Sequence, residues 1–102
     1  MRILFDIESK VSDGKTDLIT RTEDVFIIVT KNLDDRDEVI THYNIEEGIR
    51  YLNCAHEIIG HNIIGYDLPV LNKLYDFKFT GKVTDTLAMS RLVYPNRRER
   101  DH

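Results

Sequence analysis

The amino-acid sequence predicts one α/β domain over residues 1–102: a mixed five-stranded sheet, a three-stranded meander followed by parallel strands, with helices packed on it. Three observations carry this expectation. The segments follow one another as β-β-β-α-β-α-β-α, and strands separated by helices run parallel in such sheets. The early segments are rich in β-branched residues, whereas later ones space apolar residues at helical intervals. The first strand, Leu4-Phe5-Asp6-Ile7-Glu8, ends in two acids, at the sheet edge where ligands gather beyond parallel strands.

Residues 1–8 read as a buried strand, and 9–23 as a polar connection with a turn at Asp13-Gly14. Val25-Phe26-Ile27-Ile28-Val29 is apolar on both faces and belongs inside a sheet. A turn crowded with Asn and Asp (32–37) leads to a returning strand at 38–43 and completes a hairpin. Asn44 is a good N-cap, Glu46 and Glu47 suit a helix start, and Ile45, Ile49 and Leu52 mark an amphipathic helix to about Cys54. Glu57 to His61 is a short buried strand. Asp67 can cap a helix over 68–75, with Pro69 tolerated in its first turn. Lys82-Val83-Thr84 is the last strand, after which Asp85 or Thr84 caps a helix that Pro95 ends.

Bulk properties narrow the function. Hydrophobic content of 41% and charged content of 31% exclude a disordered chain. No apolar run approaches the length of a membrane span, no signal-peptide pattern opens the chain, and the lone Cys54 excludes an internal disulfide. Cytoplasmic residence is the expectation. The net charge of −4 argues against a generic polyanion binder. That charge is uneven: residues 1–51 carry −5 and residues 52–102 carry +1, helped by Arg97, Arg98 and Arg100.

Alternation along a strand points Asp6 and Glu8 the same way, with Phe5 and Ile7 on the other side. Two such carboxylates repel unless they are solvated or share a cation, and hard oxygen ligands suit magnesium or manganese. The plainer reading is a strand running into a polar loop. The segment His61-Asn62-Ile63-Ile64-Gly65-Tyr66-Asp67 follows the fourth strand and brings a third acid to the same edge if that strand is parallel to the first. Asp67 also reads as a simple cap, Asn62 as a turn residue and Tyr66 as a core aromatic.

Taken together, FDIE near the N-terminus and HNIIGYD resemble the first two motifs of the DEDD 3′–5′ exonucleases. The run DTLAMSRLVYP (85–95) resembles the segment that follows them in proofreading domains of family A phage DNA polymerases. The resemblance implies a ribonuclease H-like fold and two-metal hydrolysis of a 3′-terminal phosphodiester. It implies that Asp6, Glu8 and Asp67 hold two Mg2+ or Mn2+ ions. Ile7, Glu8, Asn62 and Tyr66 would lie at the substrate strand, Glu8 seating the terminal nucleotide. The implied partner is the 3′ end of single-stranded DNA.

The family's third motif, a fourth Asp preceded by a Tyr or His, has no counterpart before His102, and Asp101-His102 has the wrong order and spacing. The expectation is therefore a partial exonuclease domain, weak or inactive alone. Two explanations are open for such a domain: a second polypeptide that supplies the missing motif or the polymerase domain, or a truncated chain. The uncovered sheet face would otherwise favour a homo-oligomer. Two rival readings stand beside this one: an exonuclease-derived nucleic-acid- or protein-binding module without the chemistry, and a 3′–5′ exoribonuclease fragment.

Overall fold

Strand β1 (Arg2–Val11) sets the layout. Ile3, Phe5 and Ile7 are buried, while Arg2, Leu4, Asp6 and Glu8 are exposed on the opposite face, as strand alternation requires. The computed structural model describes residues 1–35 and 38–88. β1 runs three residues beyond the expected end at Glu8, because Ser9, Lys10 and Val11 pair with the next strand through two irregularities of register.

A four-residue helix, α1 (Leu18–Arg21), interrupts the connection. Its cap is Asp17, whose carboxylate accepts from the Thr20 N–H at 2.9 Å and the Thr20 hydroxyl at 2.7 Å. Strand β2 (Thr22–Asn32) returns antiparallel to β1 and pairs with β3 (Val39–His42), also antiparallel. Val25 and Ile28 are buried between neighbours as expected of an interior strand, but Phe26, unpaired in the β1 register, is 50% exposed. The hairpin turn opens with Asn32 Oδ1 accepting from the Asp34 N–H at 2.9 Å. Residues 36 and 37 of that turn lie outside the described residues.

Helix α2 (Ile45–Asn53) begins where Asn44 Oδ1 accepts from the Glu47 N–H at 3.2 Å. It lies close on the β2–β3 hairpin: a Cβ at Gly48 would stand 3.0 Å from Ile28 Cδ1 and 3.1 Å from His42 Cβ. Strand β4 (Glu57–Gly60) then pairs in parallel with β1, helix α3 (Leu68–Tyr75) follows, and β5 (Lys82–Asp85) pairs in parallel with β4. The order β3-β2-β1-β4-β5 is a mixed five-stranded sheet, open rather than closed into a barrel. This is the ribonuclease H-like arrangement.

The core lies on one face, where Ile3, Ile28 and Ile58 of the sheet meet Leu52 of α2 and Val70 and Leu71 of α3, all essentially inaccessible to solvent. The other face keeps Leu4, Ile27, Val29, Val39 and Ile59 half-buried or exposed. The helix expected to end at Pro95 and the pair Asp101-His102 lie outside the described residues. Among the described residues no helix is long and apolar enough to cross a membrane.

Candidate functional site

The parallel pairing of β1 and β4 brings the loop after Gly60 to the end of the sheet where Asp6 and Glu8 stand. Gly60 is required there, since a Cβ would collide with the Ile63 side chain and stand 2.9 Å from the Phe5 carbonyl oxygen. The chain turns through Asn62 in the left-handed conformation, φ 57°, and enters a single π turn, Ile63–Asp67. The Leu68 N–H donates to the Ile63 carbonyl and closes that turn. Gly65 leaves room for the Asn62 amide, because a Cβ would stand 2.5 Å from Asn62 Oδ1.

This turn places Asp67 differently from expectation. It is not a side-chain cap: its backbone is helical (φ −58°, ψ −49°) and its carboxylate makes no capping hydrogen bond. The π turn runs directly into α3, so the helix has no free start there to cap. Asp67 instead points inward, 4% exposed, and its Oδ2 is buried without a hydrogen-bond partner among the described residues. Burial first, and then the neighbouring Asp6 carboxylate, push its acid up to about 7, against the backbone N–H groups of Asp67 and Ile7.

The structure thus brings Asp6 and Asp67 together. Glu8 shares the face of Asp6 but remains exposed, and among the described residues no group of three or more His, Cys, Asp or Glu side chains is placed to hold a metal ion. Ile7 is 8% exposed and its side chain belongs to the core, so only its backbone faces the acid edge. Tyr66 is a strut. Its hydroxyl lies 2.7 Å from Ser9 Oγ and 2.8 Å from Thr22 Oγ1. Thr22 already donates to the Leu18 carbonyl at 2.8 Å, so Tyr66 donates to Thr22 and accepts from Ser9.

Asp85 is the residue whose role the sequence understated. It caps the next turn, as expected, with Oδ1 accepting from the Leu87 N–H at 2.9 Å. The same oxygen also accepts from the Asn62 N–H at 2.9 Å, and Oδ2 accepts from the Ile64 N–H at 2.9 Å. Burial opposes its charge, yet the N–H groups of Ile64, Leu87 and Asn62 outweigh it and hold the carboxyl below the ordinary carboxylate range. Asp85 therefore stays ionised and fixes the loop that delivers Asp67. His61, beside this loop, has Nδ1 3.0 Å from Thr86 Oγ1.

The sheet order and the helices packed on one face are a ribonuclease H-like α/β arrangement. No protein-family model and no curated protein matches the chain. Among solved structures it is similar to the family B DNA polymerase of the hyperthermophilic archaeon Pyrobaculum calidifontis, with a TM-score of 0.59 and 18% identity. The match covers 84% of this chain and 15% of the polymerase chain, and at that identity it establishes the fold alone. The expected membership of the DEDD proofreading domains of family A phage polymerases is corrected by this result, since the polymerase matched is of family B. The motif FDIE lies in the middle of β1, and HNIIGYD forms the loop and π turn between β4 and α3.

Proposed function

We propose that the chain is an exonuclease-derived nucleic-acid-binding module: it binds the 3′ end of a single DNA strand at the Asp6–Asp67 edge and does not cleave it unaided. The observation that supports this reading best is the acid pair itself. One buried acid with an unfilled oxygen stands beside a second, while Glu8 stays apart. Such a donor set fits Mg2+ or Mn2+, which bind through one or two carboxylates and complete their shells with water and phosphate oxygens. Asp6 and Asp67 would hold the ion, and its charge would let a phosphate approach an otherwise repulsive edge. Glu8 and Asn62 stand at the rim, where a terminal nucleotide sits. Ile7 acts through its backbone and Tyr66 by holding the loop.

The test is fluorescence anisotropy of a short 3′-labelled DNA strand with and without Mg2+, run beside a denaturing gel. Metal-dependent binding that Asp6→Ala weakens about tenfold, with no shortened product, is the expected result. Binding equal in Mg2+ and in chelator would sink the reading. The orphaned oxygen of Asp67 also favours a second reading, two-metal 3′–5′ exonuclease chemistry in which Glu8 joins the pair. Metal-dependent shortening of the strand, abolished by Asp67→Ala, selects that one.

A further inference from the structure

The two edge strands of the sheet are built differently. β5 begins with Lys82, whose ammonium lies 3.8 Å from a Glu57 carboxylate oxygen, and ends with Asp85. Charges of this kind discourage another strand from pairing at an edge. At the opposite edge β3 carries no acid, lysine, arginine or proline, and its register with β2 runs without a bulge. The carboxylate of Glu38, just before it, accepts from the Tyr51 hydroxyl at 2.7 Å. Among the described residues no strand pairs with the outer side of β3.

One hydrogen bond fixes which backbone groups of β3 point outward. The Asn32 N–H donates to the Glu38 carbonyl at 3.1 Å, so bonded pairs recur every second residue, at Thr30–Ile40 and Ile28–His42. Ile40 and His42 therefore turn their N–H and C=O groups toward β2, while Val39 and Thr41 turn theirs to the free edge. The side chains alternate in step. His42 faces α2, where a Cβ on Gly48 would stand 3.1 Å from its own, and Val39 and Thr41 stand exposed on the open face. Val39 is 58% exposed and Tyr43, which follows the strand, 76%; they are the most exposed large hydrophobic residues among those described.

We propose that this edge pairs with the same edge of a second copy of the chain, antiparallel about a two-fold axis at Thr41. The edge is complementary to itself in that register. Thr41 meets its own counterpart, and the pair exchanges both N–H···O bonds because both backbones point outward. Two residues away, Val39 meets the second copy's Tyr43, an aromatic against a β-branched side chain, which buries these two exposed groups on each other. No charged side chain lies within the paired stretch 39–43. Each copy offers one such edge, so the association closes at two. The contact runs through the strand edge and leaves the open face uncovered.

Sedimentation equilibrium of the intact chain from about 10 µM to 2 mM tests this. In EDTA and without DNA, its outcome is independent of the metal-dependent reading of the acid edge. A monomer–dimer equilibrium with half-association at about 0.1–1 mM is expected, as suits a small interface. Thr41→Lys and Thr41→Glu locate the axis. Each alone sets like charges face to face and associates more weakly than the parent, whereas their equimolar mixture associates about fivefold more tightly than either. Amide exchange at Thr41 is expected to slow as chain concentration rises, while exchange at Ile40 and His42, already bonded to β2, stays constant. A monomer at every concentration overturns the proposal. So does association that the Thr41 variants leave unchanged, a mixture no tighter than the single variants, or growth past the dimer.

Discussion

The two faces of the sheet differ in what holds them. On the helix side Ile3, Ile28 and Ile58 are sealed against α2 and α3, and this burial is the main force behind the fold. On the open side Leu4, Val29 and Val39 are partly wet, so they contribute little to stability and are free to meet something else. The same strand supplies both: in β1 every second residue goes to the core and its neighbours to the open face. Stability and function are thereby divided by parity along one chain segment.

Substitutions test that division. Ile58→Ala, in the sealed face, is expected to cost about 2–5 kcal/mol in urea unfolding, while Val29→Ala on the open face stays below about 1 kcal/mol. Similar costs at the two sites would show that both faces are packed. Asp85→Ala leaves the N–H groups of Asn62, Ile64 and Leu87 without their acceptor, and a loss of about 2–4 kcal/mol is expected. Its signature is local: amide exchange in residues 62–66 should rise much more than in β2.

The acid edge responds to pH. The folded-state value of Asp67 is raised to about 7, so the native chain holds a proton that the unfolded chain gives up near pH 4. The penalty is absent below pH 4, grows as pH rises and is complete above about 7. Metal-free protein should therefore lose stability between pH 4 and 7, and Asp67→Asn should flatten that loss, with a gain on the order of 1–3 kcal/mol at pH 8. A variant as pH-sensitive as the parent would show that Asp67 is not the group responsible. A small effect is expected from Tyr66→Phe, which breaks the chain Ser9–Tyr66–Thr22 at a cost of about 1 kcal/mol. Thermal melts at fixed pH would resolve it.

Much of this was legible in the sequence because it is periodic or local. Alternation put Asp6 and Glu8 on one face, helical spacing and Asn44 fixed α2, and the bounds 68–75 for α3 agree with the structure. Long-range polar pairing was not legible. Asp85 reaches back 21 and 23 residues to Ile64 and Asn62, and nothing in its local sequence distinguishes that from ordinary capping. The π turn was also hidden, since nothing in the run Ile63 to Asp67 distinguishes it from an ordinary loop leading into a helix.

The π turn has one more consequence. An α-helix rotates about 100° per residue, and a π turn accommodates one residue more than a regular turn does. Asp67 lies one helical turn before Val70 and Leu71, so whatever keeps those two in the core also keeps Asp67 beside Asp6. Deleting Ile64 would instead move the other end of the turn: in genetic terms, the loss of a single codon would draw the Asn62 N–H away from Asp85 while the acid pair stays in place.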